Sequence, residues 1–255
     1  MKPIGIQLYT LRPDVYPAGK DDFPGVLRTV AEIGYKGVEM AGLFGHDPKE
    51  IGAIVRDLGM QVTSSHTALP TPENVNQVVD TELALGNKRC ISGFGPDDFK
   101  TADACKAAAA KFQKAAELVK PRGMTFGFHN HWWEFFTVDG KYVYDILMAE
   151  GPDFFSEQDV YWTAFGKADP VQIVSKYRSR IPYLHIKDGM LEEGKHVHTA
   201  VGSGKLDMRA IIGAADPNVL EWLIVELDAC ETDMLEAVKQ SYRYLTSQGL
   251  GAGNK

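Results

Sequence analysis

Acids and imidazoles stand at the ends of several short apolar runs in this sequence. The clearest case is the segment H-N-H-W-W-E-F-F at 129–136, where an apolar run ends on two histidines and a glutamate among aromatic residues. Carboxylates combined with one or two imidazoles suit Mn²⁺, Zn²⁺, Fe²⁺ or Co²⁺. Four different runs end on His129, Asp159, His185 and Glu226. We expect these four residues to bind one divalent cation, with Mn²⁺ favoured and Zn²⁺, Co²⁺, Fe²⁺ or Mg²⁺ as alternatives.

Taken singly, each of these four residues has an ordinary structural explanation. Asp159 could cap a turn, and His185 could form a hydrogen bond to a neighbouring strand. The coincidence of all four at run ends favours the metal site. Gln7 and Glu39 end two further runs, and we assign both to substrate binding.

Four aromatic residues flank Glu134: Trp132, Trp133, Phe135 and Phe136. Aromatic side chains usually pack a core or a lid, but they also form a wall against a sugar face. We therefore assign Trp133 and Trp162 to substrate binding. Apolar surroundings would raise the pKa of Glu134 and suit it to proton transfer. The alternative is that Glu134 supplies a carboxylate ligand to the metal.

The segment V-G-S-G-K at 201–205 has the composition of a phosphate-binding loop, because backbone amides and a lysine bind anions. It lacks the spacing of a P-loop, so a structural turn is the favoured interpretation. His196 and His198 alternate like residues of a strand, and an exposed β-hairpin is favoured for them.

The elements that must position these residues alternate regularly along the chain. Eight short apolar runs, such as 125–130 and 154–160, alternate with eight amphipathic segments of helical spacing. Gly34 and Gly86 each follow a helical segment, where a left-handed residue ends a helix. This pattern predicts a single (β/α)8 TIM barrel over residues 1–248 and a flexible tail at 249–255. In such a barrel, the carboxyl ends of the strands form the active site.

Composition narrows the class of partner. The chain has 255 residues, a formal charge of −7 and no basic block, which argues against nucleic acid. Its three cysteines are far apart and do not form a thiolate zinc motif or a disulfide framework. We find no membrane span and no signal peptide, and expect a cytoplasmic protein with a small carbohydrate as its partner. A homodimer is left open.

A set of motifs running in order along the chain resembles the sugar phosphate isomerase/epimerase-type proteins of the xylose-isomerase-like TIM-barrel superfamily. The motifs are G-I-Q-L-Y-T-L-R at 5–12, I-G-Y-K-G-V-E at 33–39, S-S-H at 64–66, F-H-N-H-x-x-E-F at 128–135, Q-D-V-Y-W at 158–162, H-I-K-D at 185–188, V-G-S-G at 201–204 and V-E-L-D at 225–228. Members of this superfamily include ketose epimerases, inosose dehydratases, keto-glycoside-cleaving enzymes and a DNA-repair endonuclease.

The resemblance implies a divalent metal held by an acid from strand five, Asp159, His185 and Glu226. The chain departs from this pattern at strand five, where His129 stands in place of glutamate, so either His129 or Glu134 completes the site. The resemblance also implies that His66 and Lys187 contact substrate, and we place Lys187 among the catalytic residues.

These residues predict a metal-dependent isomerase or epimerase that removes a proton next to a metal-bound carbonyl of a sugar or keto-sugar. Glu226 is the candidate base or ligand, and Glu134 or His131 is the opposing acid. The alternatives are a lyase or dehydratase acting on an inosose or 3-keto-glycoside, and a non-catalytic sugar-binding barrel. An abasic-site endonuclease is the most remote, because the acidic charge opposes DNA binding.

Overall fold

Eight parallel strands close into a barrel in the computed structural model, which describes residues 1–12, 22–192 and 195–255. The strands are β1 (Lys2–Gln7), β2 (Gly37–Met40), β3 (Gln61–His66), β4 (Arg89–Ser92), β5 (Thr125–His129), β6 (Phe155–Asp159), β7 (Tyr183–Ile186) and β8 (Trp222–Val225). Each strand pairs with its sequence neighbours, and β8 pairs with β1 to close the ring. The prediction of a (β/α)8 TIM barrel is confirmed.

Helices follow the strands on the outside of the barrel. Among the described residues they are α1 (Phe23–Ile33), α2 (Pro48–Asp57), α3 (Val75–Leu85), α4 (Ala102–Val119), α5 (Val143–Glu150), α6 (Val160–Phe165), α7 (Pro170–Tyr177), α8 (Met208–Ala214) and α9 (Met234–Ser247). Gly34 and Gly86 end α1 and α3 with φ of 118° and 84°, so both glycine signals are confirmed.

The short helix α6 is the element that the sequence pattern misses. The apolar run 154–160 continues without a break from β6 into α6. The boundary is set by Asp159, whose carboxylate accepts a hydrogen bond from the Trp162 backbone N–H at 2.8 Å and caps the helix.

Side-chain alternation divides the barrel interior into two layers. Four residues from different strands, Ile91, Phe155, Tyr183 and Ile224, form a separate apolar cluster. One pleat further along β6 and β7, the inward positions carry Glu157 and His185 instead. An apolar plug therefore supports a polar layer at the carboxyl ends of the strands.

The segment 249–255, expected to be a flexible tail, contacts the barrel in the structure. Gly251–Ala252 pairs in parallel with the start of β1, and the backbone N–H of Asn254 donates to the Gly34 carbonyl at 2.7 Å. The Tyr242 hydroxyl donates to the Lys255 carbonyl at 2.9 Å. These contacts use backbone groups, which a Gly-rich sequence does not reveal.

None of the helices in the described parts of the chain is long and apolar enough to cross a membrane.

Candidate active site

The four predicted metal ligands lie together at the carboxyl ends of β5 to β8. Each of them offers a ligand atom within 4.8 Å of the atoms offered by the other three, and all four are buried. His185 Nδ1 lies 3.0 Å from Glu226 Oε2, and His129 Nε2 lies 3.9 Å from Asp159 Oδ2. We call His129, Asp159, His185 and Glu226 the Asp159 group.

Lys187 is fully buried between the carboxylates of this region. Its Nζ lies 3.0 Å from Asp159, 2.8 Å from Glu226 and 2.8 Å from Asp228. Burial would lower the pKa of Lys187, but these carboxylates outweigh it, and the pKa lies well above its usual value. The ammonium form of Lys187 is therefore favoured, and it neutralises part of the negative charge of the Asp159 group.

A second cluster, which the sequence analysis misses, lies one pleat deeper. Glu157 Oε2 lies 2.7 Å from His66 Nε2, 3.1 Å from His129 Nδ1 and 3.2 Å from His185 Nε2. We call His66, His129, Glu157 and His185 the Glu157 group; its candidate ligand atoms also lie within 4.8 Å of one another. Glu157 stands two residues before Asp159, so strand alternation places both carboxylates on the inner face. That spacing is the signal from which it could have been found.

Glu39 and Gln7 support the histidines from below. The sequence predicts that they bind substrate, whereas the structure buries both side chains completely. Glu39 Oε1 lies 2.7 Å from His185 Nε2 and 3.3 Å from His66 Nε2. Gln7 Nε2 donates to Glu39 Oε1 at 2.6 Å, and the Ser64 hydroxyl donates to the other oxygen. The role that this geometry supports is orientation of imidazoles.

The charges of the histidines differ because their neighbours differ. Burial lowers the pKa of His185, but Glu157, Glu39 and Glu226 raise it well above its usual value. Burial and the neighbouring histidines together hold the pKa of His129 well below its usual value. Burial also lowers the pKa of His131, to about 3. His129 and His131 are thus neutral, and each keeps a ring-nitrogen lone pair with which it can bind a metal.

A cavity of about 720 Å³ opens above the two groups. Its lining includes Tyr9, His66, His129, His131, Trp132, Trp133, Trp162, His196, Glu226 and Asp228. The predicted substrate-binding residues His66, Trp133 and Trp162 therefore face it. Trp162 also covers Lys187, whose Nζ lies 5.0 Å from the centroid of the Trp162 ring.

Glu134 belongs to neither group of candidate metal ligands among the described residues. Its Oε2 accepts a hydrogen bond from the His131 backbone N–H at 2.9 Å, which fixes the turn that carries His131 and Trp133. Burial raises the pKa of Glu134 to about 8. Of the two residues considered for the strand-five position, the structure thus brings His129, and not Glu134, to the other candidate ligands.

The Asp188 carboxylate accepts hydrogen bonds from backbone amides of the glycine-rich loop at 201–204. The donors are the backbone N–H groups of Gly202 at 3.0 Å and Gly204 at 3.1 Å, together with that of Leu206 at 3.2 Å. These amides are therefore used inside the protein, as the interpretation of a structural turn requires, and do not form a phosphate-binding loop.

The predicted hairpin near His196 is present, since Asp188–Gly189 pairs with His198–Thr199. His198 is buried rather than exposed, and its Nδ1 accepts a hydrogen bond from the Asp228 backbone N–H at 3.0 Å. His196 packs on Trp132, with ring centroids 4.5 Å apart, and lines the cavity.

A family model described as "Xylose isomerase-like TIM barrel" matches residues 27–248. The chain belongs to this family. The matched range of the xylose isomerase-like TIM barrel includes β2 to β8 and every member of the two groups.

Two solved structures of sugar phosphate isomerase/epimerases from Parabacteroides distasonis ATCC 8503 resemble the chain along its length. One has 25% sequence identity and a TM-score of 0.82, with 98% of this chain and 96% of that chain covered. The other has 26% identity and a TM-score of 0.80, with coverages of 96% and 98%. An L-ribulose 3-epimerase shares the fold at 18% identity and a TM-score of 0.73, with coverages of 98% and 95%. A comparison with curated proteins gives no match.

Proposed function

We propose that this member of the xylose isomerase-like family is a divalent-metal-dependent isomerase or epimerase of a sugar or keto-sugar, acting by removal of a proton next to a carbonyl group. The observation that carries the proposal is the convergence of imidazoles and carboxylates from neighbouring barrel strands beneath an aromatic-walled cavity. The similarity to sugar phosphate isomerase/epimerases supports it.

The residues at the cavity floor fit a divalent cation. His129 and His185 belong to both candidate groups, so they would hold the metal in either arrangement. Glu157 Oε1 is buried and has no hydrogen-bond partner among the described residues, which is costly unless a cation or proton compensates it. When bound, the cation would act as a Lewis acid on a carbonyl oxygen and favour ionisation of the adjacent C–H bond.

Glu226 is the residue best placed to remove the proton. It lines the cavity, and the neighbouring Lys187 and His185 hold its pKa well below the usual value although burial acts in the opposite direction. Glu226 is thus a carboxylate and can accept a proton. His131 faces the same cavity and stacks on Trp133 at 4.2 Å between ring centroids. Because its pKa is lowered to about 3, it is neutral and would orient a substrate hydroxyl, while the proton taken up by Glu226 would be the one returned to the substrate.

An unphosphorylated substrate fits this site best. The amides at 202–206 that could have bound a phosphate already bind Asp188. Three tryptophans and Tyr9 line the cavity, and aromatic faces of this kind pack against the apolar face of a sugar ring.

The test is exchange of substrate protons with D₂O in the presence of Mn²⁺, measured by NMR on a panel of ketoses, inososes and 3-keto-glycosides. We expect exchange at a single carbon of one substrate class. Glu226→Gln should slow exchange by roughly 10²–10⁴-fold, since it removes the base. Glu221→Gln is the matched control, because this acid precedes β8 at the opposite end of the barrel and its side chain is 44% exposed.

Loss of exchange in His185→Ala and after chelation is also expected. Exchange that persists in Glu226→Gln and His185→Ala would contradict the proposed residue roles. Sugar binding that survives chelation without any turnover would favour a non-catalytic binding barrel instead.

A further inference from the structure

Two candidate cation positions share two of their four residues. His129 and His185 belong to the Asp159 group and to the Glu157 group. In His185, Nδ1 faces Glu226 while Nε2 faces Glu39 and Glu157. A neutral imidazole offers a metal one lone pair, so His185 can be a ligand at only one of the two positions at a time.

We propose that the divalent cation of this protein binds in the Glu157 group, formed by His66, His129, Glu157 and His185. The counter-ion of the carboxylates in the Asp159 group is then the ammonium group of Lys187 and not the metal. This inference rests on the proposed metal dependence and deepens it by placing the cation.

The carboxylates of the Asp159 group already have a counter-ion. Lys187 Nζ lies within 3.0 Å of both Asp159 and Glu226, and Asp228 completes its contacts at 2.8 Å. A divalent cation among the same oxygens would meet strong repulsion from a buried ammonium group only a few ångströms away.

The carboxylates beside the Glu157 group are paired with imidazoles alone. Within the described ranges, the ion pairs formed by Glu39 and Glu157 are all with histidines, and none is with lysine or arginine. Both glutamates are fully buried, and no residue in the described part of the chain forms a hydrogen bond with Glu157 Oε1. Buried carboxylates require a compensating charge. Histidines supply it only as imidazolium ions, whereas a divalent cation would supply it with the same histidines neutral and acting as ligands.

The donor atoms of the Glu157 group form a recognised kind of metal site. Three imidazole nitrogens surround one carboxylate oxygen at 2.7, 3.1 and 3.2 Å. Imidazoles with a carboxylate suit Zn²⁺, Fe²⁺, Co²⁺ and Mn²⁺. With the metal there, His185 Nδ1–H donates to Glu226 at 3.0 Å, the kind of carboxylate partner that orients metal-binding histidines.

The placement has a chemical consequence for Glu226. If the cation binds deeper, Glu226 is not a metal ligand and keeps its carboxylate for proton transfer at the cavity wall, held by Lys187 at 2.8 Å. Glu157, and not Glu226, is then the anionic ligand.

The test is Co²⁺ binding to the full chain after metal removal, followed by calorimetry and by the visible absorption of the bound ion. Two carboxylates one pleat apart on β6 provide matched variants. Glu157→Gln should weaken binding by more than about 100-fold, beyond the roughly 10–100-fold effect of a supporting residue. Asp159→Asn should change it by less than about tenfold and keep the wild-type spectrum, and asparagine retains the cap on α6.

His66→Gln is a second variant of the Glu157 group, chosen because its side chain is 30% exposed and its loss perturbs packing less. It should also lose the wild-type spectrum, while the thermal unfolding curve reports that it is folded. The opposite pattern, with Asp159→Asn losing Co²⁺ and Glu157→Gln retaining it, overturns the placement and leaves the proposed function intact. A wild-type chain that binds no Co²⁺ overturns both.

Discussion

At the scale of single residues, the site is governed by buried charge. Five carboxylates, those of Glu39, Glu157, Asp159, Glu226 and Asp228, lie close to Lys187 or to the central histidines. An ammonium group in such a position stabilises the fold only while its partners remain, because each unpaired buried charge is costly.

Replacing Lys187 with methionine should therefore destabilise the protein strongly. The change keeps most of the side-chain volume but leaves Asp159, Glu226 and Asp228 without their shared cation. We expect a loss of about 3–5 kcal/mol in the free energy of unfolding, measured with urea. Lys114→Met is the control: it removes an exposed ion pair on α4 and should cost less than about 1 kcal/mol. A Lys187→Met loss as small as that of the control would contradict this account.

The raised pKa of Glu134 leads us to predict that the stability of the protein depends on pH. Burial raises the pKa of this carboxyl in the folded state to about 8, whereas the unfolded chain has an ordinary value of about 4.5. Between these values the folded state binds more protons, so this contribution to stability falls as pH rises, by up to about 1.4 kcal/mol per pH unit, and levels off above pH 8.

Glu134→Gln should remove that contribution, because the amide is neutral at every pH and its oxygen can still accept the His131 N–H. Urea unfolding at pH 5 and pH 8 measures the effect. The variant should gain stability relative to the natural chain as pH rises. Parallel stability profiles for the two proteins would show that Glu134 does not titrate as described.

At the scale of elements, the sequence predicts the strands and helices well because each type of element has its own spacing of apolar residues. Strand β5, for example, begins at Thr125 and ends at His129, within the apolar run 125–130. The sequence also predicts His129, Asp159, His185 and Glu226 as neighbours, since strand ends meet at one rim of a barrel. What it could not predict is how these groups pair. Lys187 contacts acids from other strands, and those contacts depend on barrel closure and register.

The loop at 201–206 is a second place where the sequence does not predict which groups pair, and its contacts can be tested. The backbone N–H groups of this loop donate hydrogen bonds to the Asp188 carboxylate and not to a phosphate. Asp188→Asn removes the charge and one acceptor oxygen, so the amides of Gly202, Gly204 and Leu206 should exchange faster with D₂O, as measured by mass spectrometry. Asp207→Asn is the control, because Asp207 caps α8 and asparagine caps equally well. Unchanged exchange in Asp188→Asn would mean that the carboxylate does not hold the loop.

At the scale of the whole molecule, the apolar residues that stabilise the barrel and the polar residues of the candidate site lie in different layers of its interior. The apolar plug of Ile91, Phe155, Tyr183 and Ile224 fills the lower interior, and the polar layer and the cavity lie above it. The chain end closes the lower side through Gly251–Ala252 and β1. The residues proposed to bind metal thus lie on the barrel strands, while the aromatic walls come from the segments that follow the strands, the turn after β5 and helix α6.

The most direct measurement is an anomalous difference map from crystals grown with excess Mn²⁺. We predict one peak at the floor of the cavity, within bonding distance of a nitrogen of both His129 and His185. A cavity floor without a peak, or these imidazoles turned away from each other, would contradict metal-dependent chemistry in this barrel.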